Sequence, residues 1–544
     1  MGFGILEANR GLAHVPGTVL LEDMEPLTTA HLKKGSGKNA TVVLTPQPSN
    51  NPNDPLNWPL WQRDLLLVLF CFLTTICVGA IGPMLSVLTL SLTMAFGITI
   101  PQTSLLTGYQ FCVVGAMALP VAAFLRKFGK RPIFIVSILF LLAGSIICSQ
   151  AIGYHSMLAG RIIQGFGTTA FESAPFGLIG DMYFVHQRGS RMAIYITAQV
   201  GLVLLPGLIA GVITINLSWE WAFYILIIFL GIGLILLVLF GWETSYNRAA
   251  VYNVDTSSQD NLHALEEIKS GATHTESSDL AGLDLTTMTS TIPLPRDSFV
   301  RRMKPWSTTY TEDSIIKMTL RPAIVLLNPV ILWAVLIIAV TQLWSVCTAF
   351  LIAQIFGPPP YLLNTAQVGY IGAGPIISII VCCILYGIMA DPLAKALAKR
   401  NNGIFEPEFR LVPMIISPIL SSLGYFLFGN LIAKGVTPIG ASAVWALSSG
   451  SIIFIGNPLS NYLVDAFRDS SVEVFIASMG IKNFLFFGFS YFLNEWFARW
   501  GPAKVYDCIG GLMLILSLTA IPVYIFGKRL RGWWHIHDIT LKFK

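Results

Sequence analysis

Residues 225–240 read Ile-Leu-Ile-Ile-Phe-Leu-Gly-Ile-Gly-Leu-Ile-Leu-Leu-Val-Leu-Phe. No charge interrupts the run, and Leu65–Leu73 repeats the pattern in shorter form. Such runs exceed any buried strand and suit helices that are apolar all round. The 544 residues are 54% hydrophobic and only 12% charged, where a soluble chain carries about a quarter charged residues. Mean hydropathy is +0.68. These figures exclude a soluble enzyme, a nucleic-acid binder and a disordered scaffold. The expected class is an all-α integral membrane protein.

A spanning helix needs roughly 20 mostly apolar residues. The sequence divides into twelve such spans: 65–92, 103–125, 132–152, 156–182, 192–214, 219–241, 328–355, 367–391, 411–433, 438–465, 472–497 and 505–527. They form two six-helix, pseudo-symmetric halves, 63–242 and 328–527. A cytoplasmic tail (1–62) precedes the first half, a Ser/Thr-rich cytoplasmic linker (243–327) joins the two, and a short tail (528–544) follows. The first 62 residues hold no apolar signal core, so the first span is expected to act as its own anchor. The linker has too few large apolar residues for a core and reads as disordered. Of 34 Lys and Arg residues, only Lys434, Arg499 and Lys504 fall in outer loops, which places both termini in the cytoplasm. The net charge of +5 therefore marks topology rather than an acidic partner. All eight cysteines lie in apolar segments without metal-ligand spacing, so no metal, disulfide framework or cofactor is expected.

Duplicated halves suggest a transporter with its cargo held at the midplane between them. At the cytoplasmic ends, Ala122-Ala123-Phe124-Leu125-Arg126-Lys127-Phe128-Gly129-Lys130-Arg131-Pro132 follows the second span. Gly387-Ile388-Met389-Ala390-Asp391 takes the same position after the eighth. Small residues there permit close helix approach, and the charges can pair to hold the inner side shut. Setting orientation is the plainer role for such cations. The gate candidates are Arg126, Arg131, Asp181, Arg188, Asp391 and Asp465.

Within the spans, the clear charges are Arg161, Glu172 and Lys482. A buried ionisable group in a bilayer faces the bundle interior and marks a functional site. Arg161, Thr168 and Glu172 share a helix face, with Glu172 about 16 Å beyond Arg161. No His lies in any span, so Glu172 is the expected proton carrier. The plainer role for Glu172 is a structural pair with Lys482. Proton and substrate coupling is assigned to Glu172, Arg161, Gln164 and Lys482. Cavity-lining candidates are Thr168, Gln342, Trp344, Asn457, Asn461 and Asn483, although interhelical glue is the commoner role for lone amides.

These motifs resemble the major facilitator superfamily, in its fungal twelve-span drug:proton antiporter type. The loop after span 2 follows the pattern Gly-x-x-x-Asp-Arg-x-Gly-Arg-Arg, with Arg126 in place of the Asp. Span 4 carries Arg-x-x-Gln-Gly-x-Gly at Arg161, Gln164, Gly165 and Gly167. The fifth-span Gly-Pro-x-x-Gly-Gly pattern survives only as Leu205-Pro206-Gly207-Leu208-Ile209-Ala210-Gly211. Asp54-Pro55-Leu56-Asn57-Trp58 and Glu243-Thr244-Ser245-Tyr246-Asn247-Arg248 are similar to the fungal branch. Phe171-Glu172-Ser173, Asp181–Gly189 and Asn401–Glu408 resemble the yeast polyamine and cation transporter subgroup. The resemblance implies a proton-coupled transporter, not an enzyme, working as a monomer in the plasma membrane. Its cargo would be a small organic solute, cationic or amphiphilic. Efflux of a drug or secondary metabolite is the close alternative, and a non-transporting sensor a remote one. Protons and the lipid bilayer are the other expected partners, and nucleic acid is not.

Tags at the N-terminus, within 255–295 and at the C-terminus should all be inaccessible to antibody in intact cells. A single tag labelled from outside would overturn the topology.

Overall fold

The computed structural model describes residues 4–6, 18–20, 48–49, 51–246, 296–306, 308–401, 404–467 and 471–537. The first half begins with α1 (Leu60–Thr74), which passes through a π turn at Thr75–Gly79 into α2 (Pro83–Phe96). There follow α3 (Ile100–Phe128), α4 (Lys130–Ser149), α5 (Tyr154–Met182), α6 (Val185–Val200), α7 (Leu205–Asn216) and α8 (Trp219–Phe240). Two short helices, α9 (Phe299–Arg302) and α10 (Ile315–Val325), precede the second half. That half contains α11 (Pro329–Phe356), α12 (Thr365–Tyr370), α13 (Ala373–Arg400), a 3-10 segment Pro407–Ile416, α14 (Ser417–Ala433) and α15 (Pro438–Ala466). It ends with α16 (Ser471–Ser490), α17 (Leu493–Leu518) and α18 (Ala520–Ile536).

Among the described residues, ten stretches are long and apolar enough to cross a membrane. The long helices α5 and α16 are not among them. They carry Arg161, Glu172, Glu473 and Lys482, so apolarity alone returns ten spans where the sequence reading returned twelve. Breaks within spans have local causes. Gly201 ends α6 before the 3-10 turn Leu202–Leu204 and Pro206. Gly501, with φ 74°, divides α17 just before Pro502.

Apolar side chains cover the outside as well as the core, as a lipid solvent requires. Ile228, Phe229, Ile232 and Ile235 of α8 are exposed, as are Ile377, Val381, Ile384 and Ile388 of α13. Polar groups turn inward instead. Small residues set the helix spacing. A Cβ on Gly144 of α4 would lie 2.7 Å from the Gly160 carbonyl oxygen of α5, and a Cβ on Gly115 of α3 would lie 3.3 Å from the Gly480 carbonyl oxygen of α16. The second approach joins the two halves. The main apolar clusters also interlock across that boundary, with Phe475 and Met479 in the first and Phe111 in the second.

The linker differs from the expectation of disorder over 243–327. Residues 247–295 lie outside the described residues, but 296–306 and 308–325 cross the end of the first half where Phe128 and Trp242 lie. Arg302 stacks over Trp58 and Trp242 at 5.9 and 5.4 Å, and Trp306 meets Phe128 at 5.0 Å. Arg296 donates to Gln62 at 2.8 Å. A few arginine–aromatic anchors hold this strap where a composition count sees only a polar segment. The described pieces of the N-terminal tail dock on the other half. Ile5 packs against Ala398 and Phe409, and β1 (Val19–Leu20) pairs antiparallel with β2 (Ile404–Phe405).

Gly144→Val should destabilise the chain by about 1–3 kcal/mol through overpacking of α4 against α5. Thermal melting in detergent should show a lower Tm, and an unchanged Tm would mean that the helices can separate freely there.

Candidate substrate and gating site

Glu172 lies about 15 Å from the inner end of α5, and Lys482 about 16 Å from the inner end of α16, at 1.5 Å per residue. The two meet. Lys482 Nζ donates to Glu172 Oε1, and Asn483 Nδ2 donates to Oε2 at 2.8 Å. Glu172 is 2% exposed and Lys482 7%, so the pair sits in a dry interior between the halves. The Phe111 ring of α3 lies 5.6 Å from Nζ and offers its negative face to the ammonium. Gln199 Nε2 of α6 donates to the Glu172 backbone carbonyl at 2.6 Å. Both carboxylate oxygens are thus occupied by donors from the opposite half.

Arg161 is fully buried and has no carboxylate partner among the described residues. Its Nη1 donates to Gln164 Oε1 at 3.0 Å and its Nη2 to Thr107 Oγ1 at 3.3 Å. Gln164 donates to Ser145 Oγ at 3.0 Å, and Thr168 donates to the Gln164 carbonyl at 3.0 Å. This network belongs wholly to the first half and ties α3, α4 and α5 together. The other candidates scatter. Asn461 donates to Tyr386 Oη at 2.9 Å. Asn457 Nδ2 and Trp344 Nε1 are buried without a hydrogen-bond partner, and Trp344 stacks edge-on with Phe489 at 5.0 Å. Gln342 is half-buried.

Among the described residues, one of the gate candidates is seen to bridge the halves. Arg126 pairs with Glu473 at the start of α16, and Arg321 of α10 reaches the same carboxylate at 3.4 Å. Asp181 pairs with Lys130 within the first half. Arg131 donates to the carbonyls of Gly241, Val238 and Met303 at 2.9, 2.7 and 2.8 Å, which makes it a staple from α4 to the end of α8 and the strap. Glu243 caps α4 by accepting from the backbone of Lys130 and Arg131 at 3.1 and 3.0 Å. Asp391 and Asp465 share Arg410, at 2.9 and 3.0 Å, within the second half. The Arg188 side chain lies outside the described residues. At the outer end, Tyr491 donates to Tyr109 at 3.1 Å and Asn494 to Ser104 at 2.8 Å. Sequence reasoning gave no role to Phe111, Arg321, Arg410 or Glu473, because which group each of them meets is fixed only once the helices are placed.

A bundle of long apolar helices in two halves, with a buried ion pair joining them, has the form of a multi-pass membrane transporter. A model of the Major Facilitator Superfamily matches residues 67–472, and the chain belongs to that family. It is 27% identical to an uncharacterized MFS-type transporter of Schizosaccharomyces pombe, over 97% of this chain and 94% of the relative. It is 24% identical to protein HOL1 of Saccharomyces cerevisiae, over 97% and 98%, and 21% identical to efflux pump vrtL of Penicillium aethiopicum, over 90% of each. The fold is shared with the xylose transporter XylE of E. coli, at TM-score 0.52, 13% identity and 84% and 96% coverage. It is also shared with the human organic anion transporter MFSD10, at TM-score 0.53, 12% identity and 85% and 100% coverage.

Arg126→Glu should weaken the inner closure, and adding Glu473→Arg should recover part of the loss. A double-mutant cycle on thermal stability in detergent should give a coupling of about 1 kcal/mol, modest because Arg126 is 33% exposed. Strictly additive effects would separate the two residues energetically.

Proposed function

We propose that this transporter moves a small organic cation in exchange for protons, by rocking residues 63–242 against 328–527 around Glu172. The observation that carries the reading is the Glu172 carboxylate, buried at the boundary of the halves and balanced by one ammonium. A carboxylate in that setting binds cations and rejects anions. A cation that enters must displace positive charge already present, which ties its movement to that of a proton. The inner closure is assigned to Arg126, Glu473 and Arg321, and the outer one to Tyr109, Tyr491, Ser104 and Asn494. The protein acts as a monomer in the plasma membrane with both termini in the cytoplasm. Among the curated relatives are an efflux pump and a transporter named for a citrinin biosynthesis cluster, from Monascus ruber. They favour a second reading, export of a neutral or amphiphilic metabolite through the same path.

Flux in proteoliposomes with an imposed pH gradient tests both. Glu172→Gln should lower cation flux at least tenfold and remove its pH dependence, with the protein still monodisperse. Under the second reading the variant loses pH dependence but keeps most of its affinity for a neutral cargo. Unchanged flux and pH dependence would make the pair purely structural and end the first reading.

A further inference from the structure

The surroundings of Lys482 Nζ offer a primary ammonium ion a carboxylate oxygen and an aromatic face. One oxygen of Glu172 accepts from it, the other is held by Asn483, and the Phe111 ring closes one side at 5.6 Å. The occupant is tethered by a flexible four-carbon chain and is able to leave. We propose that Lys482 is an internal stand-in for the cargo. A substrate ammonium takes its place on Glu172, and the displaced Lys482 gives up a proton. This rests on the reading of a cationic cargo and assigns the proton carrier within it.

Charge balance gives the reason. One carboxylate in a dry site balances one ammonium, and a second, unpaired ammonium is strongly disfavoured there. Among helices packed against α16, other charges have their own partners. Arg126 and Arg321 hold Glu473, Asp181 holds Lys130, and Asp465 holds Arg410. Arg161 is bonded to Gln164 and Thr107, and Glu495 pairs with Arg499. Lys317 and Lys127 lie at the cytoplasmic face, where Lys127 donates to the Asp313 carbonyl at 3.1 Å. Glu172 is therefore the carboxylate that Lys482 meets. On displacement the Nζ–H bond breaks, its electron pair stays on nitrogen, and the proton passes to water on the open side. Glu172 stays ionised throughout. After the halves rock, the cargo leaves and Lys482 takes a proton from the second side and pairs again. One cargo ammonium moves one way for each proton moving the other.

The site also sets selectivity. The carboxylate accepts an N–H donor, so primary ammonium ions should bind in preference to quaternary ones, which have none.

The test uses the purified full chain with putrescine and spermidine as probes and tetraethylammonium as the control without N–H. Putrescine binding to the unaltered protein should release about one proton per molecule bound, with affinity rising about tenfold per pH unit. Tetraethylammonium should bind at least tenfold more weakly. Lys482→Arg preserves the ion pair, but guanidinium does not give up its proton. That variant should remain monodisperse yet lose at least tenfold in flux, with no proton released. Lys482→Met removes the internal competitor and should bind putrescine at least as tightly as the unaltered chain. Flux in Lys482→Arg equal to the unaltered chain would overturn the inference while leaving the cationic reading intact. So would a folded Lys482→Met that no longer binds. If the unaltered chain binds none of the ammonium probes, the cationic reading falls and this inference falls with it.

Discussion

A charge inside a bilayer must find an opposite charge or a full set of hydrogen bonds, because no water is there to solvate it. In this protein that constraint concentrates on the Glu172–Lys482 pair. Neither residue can face lipid, so α5 and α16 must present these sides to each other across the boundary of the halves. The close approach of α3 to α16 at Gly115 and Gly480 follows the same geometry, since it places Phe111 over the ammonium. A buried pair of this kind contributes little net stability, but removing one partner leaves an uncompensated charge. It therefore specifies which faces meet more than it strengthens the fold.

The boundary is bridged at three levels, by α3, α5 and α10 on one side and by α16 through the start of α17 on the other. Near the outer surface, α3 reaches Tyr491 and Asn494 by hydrogen bonds. At mid-depth the connection is ionic, between α5 and α16. At the inner surface Arg126 and the strap residue Arg321 converge on Glu473. The bridges grow more strongly charged toward the end of the bundle that carries Arg126 and Glu473.

At the end of the bundle where Arg126 lies, the two halves solve one problem with opposite signs. In the first half a cation at the start of α4, Arg131, reaches the end of α8, and Glu243 beyond α8 caps α4. In the second, Glu406 and Glu408 beside the 3-10 segment receive Arg531 and Lys528 of α18. Both arrangements clamp the third helix of a half to its sixth. The second clamp also receives the N-terminal tail, through Thr18 donating to Glu406 at 2.7 Å.

The membrane class, most span positions and the presence of Glu172, Arg161 and Lys482 as charges buried within the spans were legible in the sequence. Hydropathy is a local sum, and a charge within an apolar run stands out without reference to anything distant. The pairings were legible only in part. Glu172 with Lys482, 310 residues apart, was named as the plainer, structural role of the carboxylate, whereas nothing along the chain pointed Arg126 to Glu473. The strap over 296–325 escaped notice for a related reason. Its order comes from a few arginine and tryptophan contacts to α3, α8 and the start of the first half, which composition averages away. Composition and periodicity determined which segments enter the membrane and which side chains are too polar to meet lipid. Only the tertiary structure decided which of those side chains neutralise one another, because Coulomb and hydrogen-bond energies depend on distances that exist only once the two halves are packed together.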